Sequence, residues 1–492
     1  MRTNSIVYLV YAAILIGCGF GIYLTLQAGG RLEPRPAVAG TAAAPPSPPA
    51  AGVASGAGRE AGIGRLSQGM RENLREPLSL LLIQLILIVV LARLFGAFFV
   101  RLGQPAVIGE MIAGMVLGPS VAGALFPGPF HFVFASDSLA ALRMLSQVGV
   151  ILFMFMVGME LELKQIRSQA RTAVMVSHVG IVFPYFLGVL FSFFIYPSYA
   201  AGRTTFPAFA LFMGIAMSIT AFPVLARIID ERGLTKSPLG TMALTCAAVN
   251  DVTAWAILAF VVASVKSESA GSCWLTLALL LVFVGAMLFL IKPLLRRLLL
   301  AGARGVDGPT RNTVVVSLVV VFAAGLFTEV IGIHPLFGAF MAGACMPQAS
   351  QFRLRLRERL ESFSSAFLLP LFFAFTGLRT EVGLLNDWES VGLCLGLVLV
   401  ATLGKLGGSL LAARWTGMGW HDSFALGALM NTRGLVELIV LNIGFDLGIL
   451  SPRVFTMMVI MALVTTCMTG PLLSLGSLRR RNGPAPVSVP PA

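Results

Sequence analysis

Apolar stretches of membrane-spanning length recur along most of this chain. The run LLLIQLILIVVLARLFGAFF is apolar on every face, and roughly 20 such residues cross a bilayer as one helix. Strands of an outer-membrane barrel would instead alternate apolar and polar residues over about 10 positions. Only 12% of the residues are charged, whereas a soluble protein has about 25%. The sequence therefore predicts an all-α polytopic membrane protein.

The first apolar stretch, SIVYLVYAAILIGCGFGIYLTL, is longer than the core of a signal peptide, which has about 7 to 15 residues. We expect residues 1–28 to form a retained membrane anchor. Cleavage near Ala28 and a lipobox-like LIGC ending at Cys18 are the alternatives. Residues 29–76 are rich in Ala, Gly and Pro and predict a disordered linker, because such a composition cannot bury a core.

Residues 77–478 form the predicted transmembrane domain, and residues 479–492 form a short tail. Its thirteen predicted segments have the approximate spans 78–101, 105–124, 139–160, 169–196, 206–230, 237–265, 273–300, 311–331, 333–347, 360–379, 389–414, 422–446 and 453–477.

The basic residues between these segments are distributed unequally. If the domain starts outside, twenty Lys and Arg residues fall on the inner side and five on the outer side. Cytoplasmic loops of membrane proteins carry an excess of Lys and Arg. The net charge of +13 therefore reflects the orientation of the chain in the membrane and does not indicate nucleic-acid binding. We expect a multi-pass protein of the cell (inner) membrane, with the linker outside and the C-terminus cytoplasmic. An organellar envelope is the alternative location.

An internal repeat relates the two halves of the domain. VIGEMIAGMVLGPS in the second segment matches LFGAFMAGACMPQA in the ninth, and ILFMFMVGMELEL in the third matches PLFFAFTGLRTEV in the tenth. The aligned pairs are Gly109 with Gly338, Ala113 with Ala342, Gly114 with Gly343, Phe153 with Phe372, Gly158 with Gly377 and Glu162 with Glu381. Segments one to six thus echo segments eight to thirteen, and the offset of seven crossings makes them two inverted six-helix repeats. Secondary transporters use this arrangement for alternating access.

Two repeat-related segments contain helix-breaking sequences at mid-span. The fifth, FMGIAMSITAFPVLARIIDE, carries Thr220 and Pro223, and proline removes a helical hydrogen bond. The twelfth, FALGALMNTRGLVELIVLNIG, carries the polar run from Asn431 to Gly434, including Thr432. Ion sites form where such paired helices break near the bilayer centre. An ordinary proline kink and a glycine packing contact are the alternative interpretation.

Ionisable residues occur within the apolar segments, where each costs about 2.5 to 3.5 kcal/mol on insertion scales. Asn250 and Asp251 lie in the sixth segment, Lys405 in the eleventh, and Arg433 and Glu437 in the twelfth. Carboxylate oxygens suit a hard cation and can take a proton instead, so we expect a monovalent cation and a proton to compete for Asp251. The other three charges would compensate the charge of the site. The alternatives are a static pair between Asp251 and Lys405, and a structural pair between Arg433 and Glu437.

Three motifs in order carry a family resemblance: SITAFPVLARIIDERGL, AAVNDVTAWAILAF and GALMNTRGLVELIVLNIG, with a lysine between the last two. With them, residues 78–477 resemble the second family of monovalent cation:proton antiporters, the Na⁺(K⁺)/H⁺ exchangers. The resemblance implies a thirteen-helix antiporter fold with crossing discontinuous helices, to which this chain adds an N-terminal anchor helix. The implied site consists of Asp251 as ion and proton carrier, Asn250 as its neighbour, Thr220 and Thr432 in the unwound stretches, and Lys405 as the site cation.

The resemblance also implies the partners of the chain. The substrates would be Na⁺ or K⁺ and H⁺, with membrane lipid and a second copy in a homodimer as the other partners, and with neither a cofactor nor an enzymatic activity. Asn250 beside Asp251 accompanies electroneutral exchange in the family, whereas electroneutral relatives tend to have arginine at the position of Lys405. These indicators conflict. We slightly favour one-for-one exchange, and the choice between Na⁺ and K⁺ stays open.

Three other functions compete with antiport. A potassium efflux system of the same superfamily would need a separate regulatory subunit, because no G-x-G-x-x-G motif follows the membrane domain. An intramembrane aspartyl protease would need Asp446 to face Asp251, whereas the sequence GFDLG places Asp446 at a segment end. A non-transporting scaffold or sensor would keep the fold but would not need Asp251.

Overall fold

The computed structural model describes residues 2–30, 32, 73–135, 138–160, 170–200, 204–235, 237–266, 270–301, 311–347 and 350–481. Every regular element among these residues is a helix. Nearly all of the predicted linker at 29–76, the repeat position Glu162 and the end of the predicted tail lie outside the described residues.

Helices occupy all thirteen predicted segments. Twelve helices of the described residues are long and apolar enough to cross a membrane, and one bent pair raises the number to thirteen. The N-terminal helix Arg2–Gly29 is among them, and the ninth segment contains the shorter helix Pro335–Ala344. These observations confirm an all-α polytopic membrane protein with an additional N-terminal helix.

In chain order, the helices of the segments are Pro77–Arg101, Ala106–Leu117, Leu139–Glu160, Ala170–Tyr199, Phe206–Ser218 with Phe222–Glu231, Pro238–Lys266, Ala270–Ala286 with Lys292–Ala301, Arg311–Val330, Pro335–Ala344, Leu369–Leu378, Trp388–Thr402 with Gly408–Trp415, Trp420–Met430 with Leu435–Asp446, and Pro452–Arg481. Two further helices connect segments, Pro127–Val133 and Ser350–Phe363.

The aligned glycines of the two repeats form matching contacts between helices. A Cβ atom at Gly114 of the second segment would overlap backbone of the tenth, and one at Gly377 of the tenth would overlap backbone of the second. Their repeat partners behave alike: a Cβ atom at Gly343 of the ninth segment would overlap backbone of the third, and one at Gly158 of the third would overlap backbone of the ninth. The second segment therefore packs on the tenth in the same way that its repeat partner, the ninth, packs on the third. This exchange of partners confirms the inverted repeat.

Both predicted helix breaks are present. The fifth segment is interrupted between Ser218 and Phe222, and the twelfth between Met430 and Leu435, where its two halves are bent by 43°. The residues around both breaks are buried inside the bundle, whereas the first and seventh segments expose large apolar side chains on its surface. The fold thus places two interrupted backbones where lipid cannot reach them, as non-helical backbone at membrane depth requires.

The contact between the second and tenth segments leads to a prediction for thermal stability. Gly377→Ala should lower the melting temperature, because the added methyl group would overlap the Gly114 backbone and overpacking costs about 1–3 kcal/mol. Gly392→Ala is the matched control, since no atom lies within 4 Å of a Cβ atom at that helical position. Its melting temperature should stay the same or rise slightly, because alanine favours helix. Thermal unfolding of both variants in one detergent makes the comparison, and equal melting temperatures would contradict the proposed symmetry contact.

Candidate functional site

The two broken segments cross with their extended peptides in contact. The Ala221 N–H donates to the Thr432 carbonyl oxygen over 3.1 Å, and the Thr220 hydroxyl donates to the Met430 carbonyl oxygen over 3.0 Å. Gly434 ends the second break at φ 147° and ψ −128°, a conformation essentially restricted to glycine. The structure therefore brings together Thr220 and Thr432, the two residues predicted for the unwound stretches.

The first half of the fifth segment ends in carbonyl groups that its own helix leaves without donors. The Arg433 guanidinium donates to Ala216 over 3.0 Å and to Met217 over 2.6 Å. The Lys405 ammonium donates to the next carbonyl, that of Ser218. Both cations are completely buried. Because the carbonyl end of a helix carries partial negative charge, two of the predicted charge-compensating residues neutralise a helix terminus.

Lys405 has a second acceptor in the fourth segment. Its ammonium donates to the carbonyl oxygen of Gly180 over 2.9 Å. In a regular helix that oxygen would accept from residue 184, but Pro184 has no N–H group and leaves it free. Lys405 itself lies in a π-helical turn, Leu403–Gly407, and such turns are frequent at functional sites. Sequence reasoning missed Gly180 and Pro184, although a proline in mid-segment could have indicated them.

Asn250 joins the two sides of the first break. Its amide oxygen accepts from the Thr220 N–H over 3.0 Å, and its amide nitrogen lies 3.5 Å from the Ser218 carbonyl oxygen. Asp251 follows on the same helix and is 1% exposed. Neither of its carboxylate oxygens has a hydrogen-bond partner in the described part of the chain. Since a buried polar group without partners is costly, this carboxylate has unused capacity to bind a ligand.

The predicted charged residues differ in how they pair. Within the described residues, Asp251 forms no ion pair, because Lys405 donates to backbone carbonyls instead. The static pair of these two residues is therefore not the arrangement observed. Arg433 and Glu437 do form an ion pair, with 3.0 Å between Nη1 and Oε1 and both side chains 0% exposed. Their pairing fixes the Arg433 guanidinium against the helix end that it caps.

The thirteenth segment holds the second break in the way that Asn250 holds the first. The Thr466 hydroxyl accepts from the Arg433 N–H over 3.2 Å, and its single proton has two carbonyl acceptors, that of Arg433 at 2.9 Å and that of Ala462 at 2.7 Å. The hydroxyls of Thr432 and Thr469 lie 3.3 Å apart. Sequence reasoning did not identify these threonines. The run TTCMT within an otherwise apolar segment was the available indication.

A cavity of about 550 Å³ opens at the predicted cytoplasmic end of the bundle. Three carboxylates line it, those of Glu110, Glu160 and Asp230. Its wall also includes Pro223 and Leu435, which begin or flank the helices that follow the two breaks. Water from this side can therefore reach the neighbourhood of the crossing, past a lining that also includes Arg227 and Arg357.

A smaller cavity of about 250 Å³ opens at the predicted outer end and is lined by Asn442 of the twelfth segment. Asp446 in its wall pairs with Arg379 over 2.8 Å and with Arg143 over 3.3 Å. An aspartyl protease would need Asp446 to face Asp251, but its carboxylate is held by two arginines at the end of the segment. The structure therefore disfavours the protease alternative.

Inverted repeats whose discontinuous helices cross beside a buried carboxylate define the fold class of secondary transporters. A family model described as sodium/hydrogen exchanger, transmembrane, matches residues 86–475. The chain belongs to this family, which confirms the family predicted from its motifs. The family is one of transporters, in agreement with the expectation that the chain is not an enzyme.

Named relatives and one solved structure agree with this membership. The Na(+)/H(+) antiporter NhaS4 of Synechocystis is 43% identical over 397 residues, which are 80% of this chain and 97% of that protein. The K(+)/H(+) antiporter 1 of Saccharomyces cerevisiae is 33% identical over 82% of this chain, which spans 47% of the yeast protein. The sodium proton antiporter MjNhaP1 of Methanocaldococcus jannaschii superposes with a TM-score of 0.59 over 80% of this chain and 98% of its own, at 13% identity, and so supports the fold.

The threonine that holds the second break gives a prediction for the site. Thr466→Val keeps the side-chain shape but leaves the buried N–H and carbonyl groups of Arg433 without that partner, which should destabilise the protein by about 1–3 kcal/mol. Thr466→Ser should restore most of the loss. Thr465→Val is the matched control, because among the described residues the Thr465 hydroxyl bonds to carbonyls of its own helix alone. Thermal unfolding compares the three variants. Equal melting temperatures of Thr466→Val and Thr465→Val would show that the hydrogen bonds between Thr466 and Arg433 do not stabilise the protein.

Proposed function

We propose that this protein exchanges Na⁺ or K⁺ for protons across a membrane by alternating access, and that cation and proton bind Asp251 in turn. The observation that carries the proposal is the carboxylate of Asp251, buried beside the crossing with neither oxygen hydrogen-bonded by any residue that the structure describes. The names of the relatives, Na(+)/H(+) and K(+)/H(+) antiporters, support exchange of this kind.

Competition at one carboxylate explains how two ions become coupled. A carboxylate in an apolar interior is stable when a proton or a cation neutralises it, and costly when it is empty and charged. Oxygen ligands suit Na⁺ and K⁺, and the same oxygens of Asp251 take the proton. The loaded forms therefore cross more readily than the empty form, so that one ion moves in exchange for the other.

The two cavities support alternating access. The larger one extends from the predicted cytoplasmic end to Pro223 and Leu435 beside the breaks, so this conformation is the more open one towards the cytoplasm. The smaller one approaches the twelfth segment from the other end. Rocking of the broken segments against the remaining helices would close the first path and connect Asp251 to the second.

The basic residues support the proposed placement in the membrane. The excess of Lys and Arg on one side favours a cytoplasmic C-terminus in a cell (inner) membrane, with the N-terminal linker outside. A homodimer remains our proposal from the family resemblance.

Asp251→Asn should abolish exchange, because the amide neither releases a proton nor carries the charge that holds the cation. Proteoliposomes with an imposed pH gradient measure this: addition of Na⁺ or K⁺ should dissipate the gradient with the parent protein and not with the variant. The cation that produces dissipation identifies the substrate.

Asp422→Asn is the matched control for that experiment, since Asp422 is exposed at the start of the twelfth segment. It should exchange like the parent. Asp251→Asn should also melt no lower than the parent, because the substitution removes an unpaired buried charge. Absence of exchange with either cation in a folded parent protein would contradict antiport and favour a scaffold, a sensor or a separately regulated efflux system.

The side chain beside the carrier favours electroneutral exchange. Asn250 does not titrate, and its amide oxygen already accepts from the Thr220 N–H. We take Lys405, which donates to the carbonyls of Gly180 and Ser218, to keep its charge through the cycle. One titrating carboxylate then moves one cation or one proton, and the charges of the two half-cycles cancel.

A membrane potential should therefore leave the exchange equilibrium unchanged. One net charge per cycle would couple about 2.3 kcal/mol per 100 mV, whereas one pH unit corresponds to about 1.4 kcal/mol. Proteoliposomes at a fixed cation gradient and an imposed potential of either sign report the final pH gradient. A final pH gradient that follows the potential would show electrogenic exchange and would make Lys405 the second titrating group to examine.

A further inference from the structure

The N-terminal helix Arg2–Gly29 lies outside the family match at 86–475, yet it has a defined packing face. From Val10 onward its less exposed positions are Val10, Tyr11, Ile14, Leu15, Cys18, Gly21, Ile22, Thr25, Leu26 and Gly29. They recur about every 3.5 residues, the spacing of helix–helix packing, and several are small, as at close helix contacts in membranes. The opposite face exposes Phe20 and Tyr23, at 60% and 59%. A helix that only anchors the chain in lipid needs no such face.

This face packs along the fourth segment, Ala170–Tyr199, and the two helices run parallel. The Tyr11 hydroxyl and His178 Nδ1 share a hydrogen bond of 2.8 Å, and their rings stack. Farther along both helices, a Cβ atom at Gly21 would lie 2.5 Å from the ring of Phe186, so the helix backbone rests on that ring. The two contacts fix both the register and the direction of the N-terminal helix.

The two contacts lie on either side of Pro184, which interrupts the hydrogen bonding of the fourth segment. Between His178 and Pro184 are the two carbonyls that the segment presents to the candidate site. Gly180 accepts from Lys405 over 2.9 Å. The Ile181 carbonyl oxygen lies 3.0 Å from the Ser218 hydroxyl, whose one proton it shares with the Gly214 carbonyl oxygen at 2.7 Å. The position of this weakened turn therefore decides where both acceptors lie.

We propose that the N-terminal helix is retained and acts as a splint across Pro184 within its own protomer, with Tyr11 as a positioning residue for the Gly180 carbonyl that accepts from Lys405. Contact before the proline, at His178, and after it, at Phe186, restores rigidity that the missing hydrogen bond removes. The inference rests on the proposed function in so far as Lys405 belongs to the transport site. The splint acts through the fourth segment and does not touch the transported ion.

Disulfide formation tests the docking independently of transport. In a background with the six native cysteines replaced by alanine, Gly21→Cys with Phe186→Cys should crosslink, and a protease site inserted in residues 31–72 shows whether the two pieces stay joined. Gly19→Cys with Phe186→Cys is the matched control and should not crosslink, since no atom lies within 4 Å of a Cβ atom at Gly19. A covalent dimer, absence of any crosslink, or an intact mass that lacks the first 28 residues would each overturn the proposal.

Transport kinetics test the positioning role. Tyr11→Phe should raise the apparent KM for the cation about threefold, the value of an average interhelical hydrogen bond in a membrane, with little change in the maximal rate. Tyr23→Phe, on the exposed face of the same helix, should match the parent. His178→Phe should have the same effect as Tyr11→Phe, and the double variant should be no worse than either, because all three remove one bond.

The outcomes separate this inference from the proposed function. If the parent exchanges and Tyr11→Phe leaves KM unchanged, or lowers only the maximal rate, the splint is wrong and antiport stands. If the parent shows no exchange, antiport fails and a positioning role in transport fails with it, while the disulfide experiment still decides whether the helix docks at the fourth segment.

Discussion

The site depends on one requirement of the bilayer: backbone groups freed by breaking a helix must find partners inside the protein, because lipid offers none. The first break is satisfied by Arg433, Lys405 and Asn250, and the second by Thr466. Polar residues at mid-membrane are thus required by the fold before any transport is considered. Asp251 differs from them, because no backbone group in the described part of the chain donates to its oxygens.

The two repeats share a backbone arrangement but differ in chemistry where their breaks are held. In the first repeat an amide of the sixth segment spans the break, and a carboxylate follows it in the chain. In the second repeat, hydroxyls of the thirteenth segment bind the backbone of the break. The helix of that segment, Pro452–Arg481, contains neither Asp nor Glu. Two buried carboxylates lie near the crossing peptides, and they differ in their partners: Glu437 pairs with Arg433, whereas Asp251 has no hydrogen-bond partner among the described residues. This asymmetry supports the proposal of one ion site, at Asp251, rather than two.

The sequence was sufficient to predict features with local causes. Apolar runs located the segments, Pro223 and Gly434 located the breaks, and spaced glycines revealed the repeat, since each effect arises within a few residues. The partners of Lys405 were not predictable in this way. Opposite charge suggested Asp251, but the acceptors are carbonyls of the fourth and fifth segments, and their availability depends on how three distant helices meet. The role of Thr466 was hidden for the same reason.

The carbonyl partners of Lys405 also bear on how tightly exchange can be coupled. A lysine bound to Asp251 would neutralise the empty carrier and let it cross unloaded, which would uncouple the two ions. Because Lys405 donates to backbone carbonyls instead, the proposed mechanism leaves the neutralisation of Asp251 chiefly to the bound cation or proton. A charge at mid-membrane costs about 2.5 to 3.5 kcal/mol on insertion scales, so in the proposed mechanism the empty charged carrier would be the form least able to cross. In the proposed mechanism the helix break would therefore contribute to coupling twice, by opening the site and by engaging the lysine that would otherwise neutralise the empty carrier.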